Sequence, residues 1–134
     1  MNGGMELYLH MPFCVRKCAY CDFLSFPTDQ ETQNLYTRRL REDIDAMGKK
    51  YGDIPVDTIF IGGGTPSVPD SALIVGIMEH VRKAFHVAEG AEISMEANPG
   101  TVTREKLTDY RKAGINRLSF GLQSANDREL KLLG

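Results

Sequence analysis

Apolar residues along the chain fall into short β-branched runs and longer stretches of helical period, and the two alternate between glycine, proline and aspartate punctuation. Residues 6–10 (ELYLH) predict a first strand, and residues 11–29 a loop. Tyr36, Leu40, Ile44, Met47 and Tyr51 recur at spacings of four, four, three and four, which places them on one face of an amphipathic helix over 30–51. Residues 56–61 (VDTIFI) are nearly continuously apolar, as a strand buried on both faces should be, and end in Gly62, Gly63 and Gly64. Leu73, Ile74, Ile77, Met78, Val81 and Phe85 predict a second helix, with Pro69 and Asp70 as start signals. A third strand at 91–96 (AEISME) stops at the breaker Asn98, Pro99, Gly100. A third helix begins near Thr103 and ends at Gly114, a suitable left-handed cap. Residues 117–121 (RLSFG) predict a fourth strand, and 127–133 the opening turns of a fourth helix.

Strands alternating with helices indicate an α/β fold of parallel βα units, and every candidate motif lies just after a strand, where such sheets carry their chemistry. A complete eight-unit barrel runs to about 250 residues, so residues 1–134 read as the N-terminal part of one domain, about half of a barrel. Composition changes little: 42% hydrophobic and 25% charged residues suit a globular core. The net charge of −2 gives no general attraction to nucleic acid or an anionic membrane. No stretch approaches the roughly 20 apolar residues of a membrane span, and the N-terminus lacks a secretory layout, so a cytoplasmic protein without a transmembrane segment is expected.

All three cysteines sit in one eight-residue window, too close together to cross-link distant parts of a fold. They read as a ligand set. The spacing C-x-x-x-C-x-x-C of Cys14, Cys18 and Cys21 puts three thiolates on one loop, enough for three corners of a 4Fe-4S cubane, with one iron left open. Gly62, Gly63 and Gly64 let backbone approach a ligand closely, and Thr65 adds a hydroxyl. Glu96 ends an otherwise apolar strand, where a carboxylate calls for a hydroxyl or ammonium partner, and Gln123 is placed similarly after the fourth strand.

The cysteine spacing, with Tyr20 just before the last thiol, resembles the defining motif of the radical S-adenosylmethionine superfamily. The likeness extends to its branch of oxygen-independent coproporphyrinogen oxidases and related heme chaperones, through YLHMPFCVRKCAYCDF, FIGGGTPS, EANPGT and RLSFGLQS. The resemblance implies a TIM-like partial barrel, a 4Fe-4S cluster on Cys14, Cys18 and Cys21, and S-adenosylmethionine held by Tyr8, Tyr20, Gly63, Gly64, Thr65, Glu96 and Gln123. It further implies heme or a porphyrinogen as bound pigment, a heme-acceptor protein, and an electron donor such as flavodoxin or ferredoxin. Heme-contacting residues and a C-terminal domain would then lie beyond Gly134. In that chemistry a low-potential cluster passes one electron to the sulfonium, and the protein contributes placement.

Each reading has a plainer rival. The cysteines could form a structural zinc site completed by His10 or Asp22, although closed zinc sites favour paired C-x-x-C elements and need a true fourth ligand. The glycine run in isolation is a strand-to-helix turn, and Glu96 and Gln123 in isolation are solvated or capping residues. His10 reads as a packing residue, and RRLRED over 38–43 as a solvated helix face. Within the resembling branch, the porphyrinogen-converting enzymes carry a further cysteine two residues after the third, and here that position is Phe23. This favours the heme chaperone group. The alternative is oxidative decarboxylation of coproporphyrinogen III to protoporphyrinogen IX, and no catalytic residue is assigned.

Overall fold

Leu9, Met11, Ile59, Ile61, Ile93 and Met95 are alternate residues of three strands, and all are buried. Alternate strand residues share a face, so these six define one buried side of a sheet. The computed structural model describes residues 4–14, 26–27 and 29–120. Its elements are β1 (Met5–Met11), β2 (Phe13–Cys14), β3 (Phe26–Pro27), α1 (Gln30–Tyr51), β4 (Val56–Gly63), α2 (Ser71–Ala84), β5 (Val87–Ala97), a 3-10 turn (Pro99–Thr101), α3 (Arg104–Lys112) and β6 (Arg117–Phe120). The main sheet has the order β1-β4-β5-β6, with every pair parallel. Each strand is laid beside the preceding long one, which is barrel-type growth; a doubly wound sheet reverses direction at a switch point.

The helices cover the buried side. Ile44 of α1, Ile74, Ile77, Met78 and Val81 of α2, and Tyr110 of α3 join the six strand residues in one core cluster. Asp29 caps α1 by accepting from the Thr32 N–H at 2.8 Å, which holds its carboxyl below the usual range. Thr103 caps α3 through the Lys106 N–H, and Gly114 closes that helix at φ +102° as its position foretold.

Several expectations need correction. Residues 56–61 are not buried on both faces: Phe60 is 38% exposed, on the side that no helix of the described residues covers. Met47 is half exposed, because the packed stripe of α1 runs through Gln33, Thr37 and Ile44, flanked by Tyr36, Leu40 and Tyr51, and reaches α2 at Gly48. A Cβ on Gly48 would meet the Ala84 Cβ and carbonyl at 2.6 Å, so a glycine rather than Met47 sits at that contact. Arg41 does not belong to a solvated face: its guanidinium lies against Gly76 of α2, with Nε buried and without a hydrogen-bond partner among the described residues. The stretch 11–29, expected as a loop, contains the parallel pair β2 and β3, with Phe13 opposite Phe26. The third strand is also longer than 91–96. Val56 pairs with Val87 but Thr58 pairs with Glu92, so β5 carries a bulge between those registers. The Asn116 side chain bridges beside it, accepting from the Ile93 N–H and donating to the Ala91 carbonyl, both at 2.9 Å. The expected helix over 127–133 lies outside the described residues.

Tyr110 is 1% exposed, and its hydroxyl has no hydrogen-bond partner among the described residues. Burial, followed by the charge of Asp109, pushes that phenol up to about 12. The folded state therefore holds the proton more tightly than the unfolded chain, so stability present below pH 10 is lost as pH rises from about 10 to about 12. Tyr110→Phe removes an unsatisfied polar group without opening a cavity of note, and is expected to stabilise the chain by about 1 kcal/mol and to flatten its alkaline unfolding. Urea denaturation at pH 8 and pH 11 measures both effects, and a destabilised variant would contradict them.

Candidate functional site

The open side of the sheet carries Tyr8 and His10 from β1, Phe60 from β4, and Ser94 and Glu96 from β5, the residues that alternate with the buried six. Register places Tyr8 beside Phe60 and Phe60 beside Ser94. The Tyr8 and Phe60 rings stack at 5.9 Å and 16°, and the Tyr8 hydroxyl lies 3.2 Å from His10 Nδ1. Tyr8 remains 57% exposed. Burial of its inner part, then the charge of Glu96, holds the Tyr8 phenol above its ordinary value.

Beyond β1 the chain enters the cysteine loop, and α1 pins that entry. The Tyr36 hydroxyl donates to the His10 carbonyl at 2.6 Å, and its ring meets the buried Phe13 edge-on at 5.2 Å and 82°. Two further bonds tie the glycine turn to the same place. The Gly64 N–H donates to the Met11 carbonyl at 2.8 Å, and the Thr65 N–H to the Phe13 carbonyl at 2.6 Å, one residue before Cys14.

Each of the three glycines sits against a protein contact, and backbone demands glycine at Gly63 and Gly64. A Cβ on Gly62 would overlap Glu96 Oε1 and the Phe60 ring; Gly63 has φ +118° and His10 lies over it; a Cβ on Gly64 would meet the Phe13 and Pro12 backbone. Close packing of Glu96, His10 and Phe13 on the turn thus accounts for the run. Its amides are then left in position to hold the carboxylate: the Gly63 N–H donates to Glu96 Oε1 at 2.9 Å.

A second network joins the turn to the end of β5. The Asn98 N–H donates to Ser67 Oγ at 3.0 Å, Ser67 Oγ lies 2.5 Å from Thr101 Oγ1, and Thr101 Oγ1 donates to the Asn98 carbonyl at 2.9 Å. Since the threonine proton is committed to that carbonyl, the serine hydroxyl donates to threonine, and the three bonds close a ring. Ser67 is fully buried. Lys106 completes the network from α3, donating to the Ser67, Thr101 and Val68 carbonyls at 2.6, 3.1 and 3.5 Å.

Of the residues singled out in the sequence, the structure gathers Gly63, Gly64, Thr65 and Glu96 at the C-terminal ends of neighbouring strands, with Tyr8 midway along β1 on the same sheet face as Glu96 and the Cys14 backbone in β2 alongside. Cys18, Cys21, Tyr20 and Gln123 lie outside the described residues. Sequence reading passed over Ser67, Asn98 as an anchor, Thr101 and Lys106. Lys106 offered one signal, because a cation in the first turn of a helix opposes its dipole and calls for another reason to be there. The groups present suit a sulfonium amino acid held near a thiolate-bound cluster: a carboxylate for an ammonium or sugar hydroxyls, and Tyr8 and Thr65 hydroxyls.

Sequentially ordered parallel strands, with their polar residues collected at the C-terminal ends, define a β/α partial barrel. Residues 8–134 match the family described as the Radical SAM superfamily, and the chain belongs to it. It is 43% identical to the heme chaperone HemW of Escherichia coli (strain K12), over 97% of this chain and 35% of that protein. It is 34% identical to the mitochondrial radical S-adenosyl methionine domain-containing protein 1 of Danio rerio, over 96% of this chain and 29% of that protein. Among solved structures it is similar to the coproporphyrinogen III oxidase HemN of Escherichia coli, a radical SAM enzyme, with a TM-score of 0.90 and 31% identity over 97% of this chain and 30% of that one. The chain thus spans about a third of the length of these relatives. Among the described residues, no helix is long and apolar enough to cross a membrane.

Proposed function

We propose that this chain is the cofactor-binding part of a cytoplasmic heme chaperone, in which Cys14, Cys18 and Cys21 hold a 4Fe-4S cluster and Tyr8, Tyr20, Gly63, Gly64, Thr65, Glu96 and Gln123 hold S-adenosylmethionine. The observation that carries the chaperone assignment is Phe23, two residues after Cys21, where the resembling porphyrinogen-converting enzymes have a further cysteine. The likeness to relatives named heme chaperone HemW, at 43% and 39% identity, supports it. Heme is the cargo, an acceptor protein receives it, and flavodoxin or ferredoxin is the electron donor.

When bound, the cluster and sulfonium supply one-electron chemistry; the chain binds, orients and shields. Glu96, steadied through Oε1 by the Gly63 N–H, keeps Oε2 for an ammonium or sugar hydroxyl of the cofactor. Tyr8 presents an aromatic face and a neutral hydroxyl beside it. A second reading, oxidative decarboxylation of coproporphyrinogen III, draws on the structural likeness to HemN.

One pair of assays separates the two. The full-length protein is expected to bind heme saturably in a spectrophotometric titration, and to make no protoporphyrinogen during anaerobic incubation with reductant, S-adenosylmethionine and coproporphyrinogen III. Multiple turnovers without saturable heme binding would promote the second reading.

A further inference from the structure

Lys106 is the residue whose environment is least explained by the needs of α3. It stands in the first turn of that helix, where the dipole disfavours a cation, yet its ammonium is drawn across to another loop. An ammonium has three donors, and here each faces a backbone carbonyl: Ser67 at 2.6 Å, Thr101 at 3.1 Å and Val68 at 3.5 Å. Two of those carbonyls belong to the loop that follows the glycine turn, and the third to the turn that follows β5. Ser67 is fully buried, so water does not readily replace the lysine at its carbonyl.

The two loops that Lys106 joins carry the two halves of the site. Thr65 is two residues before Ser67, and Glu96 is two residues before Asn98. Ser67 and Asn98 are themselves bonded at 3.0 Å within the three-membered hydrogen-bond ring. On its other side the glycine turn is fixed to the Met11 and Phe13 carbonyls, next to the cysteine loop. The turn is therefore held between two anchors, and Lys106 reinforces the one toward the end of β5, where the Ser67–Asn98 and Gly63–Glu96 bonds also lie.

We propose that Lys106 is a positioning residue for S-adenosylmethionine: it touches no cofactor atom, and it sets the spacing between the Thr65 turn and Glu96 at which one ligand meets both. This rests on the reading of that site as the sulfonium site. Without the ammonium, the Ser67 and Thr101 carbonyls lose their common partner, and the spacing of the two loops is held less firmly, by the Ser67–Asn98 and Gly63–Glu96 bonds. Arginine carries a fork of donors and reaches two carbonyls at once, whereas methionine keeps the length and loses every donor.

The test uses anaerobically reconstituted wild-type protein, Lys106→Met and Lys106→Arg, with equilibrium dialysis of labelled S-adenosylmethionine, iron content and the EPR spectrum of the reduced cluster before and after the cofactor is added. Lys106→Met is expected to keep its iron while its dissociation constant rises about tenfold and its cofactor-induced EPR change weakens at a fixed cofactor concentration. Lys106→Arg is expected to recover most of the affinity. An unchanged dissociation constant in Lys106→Met overturns the positioning role. So does a loss of affinity that arginine fails to recover while iron content falls in parallel, since that marks a folding defect alone. Wild-type protein that loads iron but binds no S-adenosylmethionine brings down the reading of the site itself, and the positioning role with it.

Discussion

Anaerobic reconstitution with iron and sulfide is expected to give about four irons per chain with a broad charge-transfer absorption, and Cys18→Ala is expected to abolish it. Three thiolates on one short loop are the fewest that grip a cubane while leaving an iron open, and none of the three is spare. Loss of one leaves two protein ligands for four irons, so the expected result is failure of assembly rather than a graded drop. The loop is also built to start from a fixed point. Phe13 is fully buried, its carbonyl accepts the Thr65 N–H, and Tyr36 closes over it, so Cys14 follows a residue that cannot drift. Iron and acid-labile sulfide analysis reads the outcome. Tight stoichiometric zinc with no bound sulfide would sink the cluster and return the cysteines to a structural role.

Gly64→Ala is expected to disrupt the site more than its single methyl group suggests. The added Cβ would stand 2.5 Å from the Phe13 carbonyl oxygen and 2.8 Å from both the Phe13 nitrogen and the Pro12 carbonyl carbon. These are backbone atoms beneath a buried ring, so no side chain can rotate away, and the turn must separate from the entry to the cysteine loop. Overpacking of this kind costs about 1–3 kcal/mol, and iron loading should fall with it. Gly90→Ala is the matched control, because nothing lies within 4 Å of the position its Cβ would take. It is expected to stay within about 0.5 kcal/mol of wild type in urea denaturation. Equal behaviour of the two variants would mean that the glycine turn does not need its contact with Phe13.

Much of this architecture is legible in the sequence, for reasons that are local. A helix over 30–51, a strand ending in Gly62–Gly64, a left-handed cap at Gly114 and a break at Asn98 each follow from periodicity or backbone preference within a few residues, and each is found. The burial of Met47 was misjudged because helical period identifies a stripe only to within one residue either way; the place where a neighbouring backbone comes close decides its centre, and that place is Gly48 against Ala84. The β5 bulge is not legible in the sequence because it is a register relation with β4, and the pairing of Phe13 with Phe26 is not because it spans the cysteine loop.

The sequence by itself determined the order of elements, the grouping of the cysteines and the placing of Gly63 and Glu96 at strand ends and of Thr65 just beyond one, because alternation, helical period and motif spacing are written residue by residue. Only the tertiary structure decided what these residues do to one another. It put Glu96 on the Gly63 amide, used each glycine to admit a particular neighbour, and sent Lys106 from α3 to close the loops after β4 and β5. The bonds of Gly63 to Glu96 and of Lys106 to Ser67 join residues more than thirty positions apart, and their energies depend on distances of a few tenths of an ångström, which no local preference encodes.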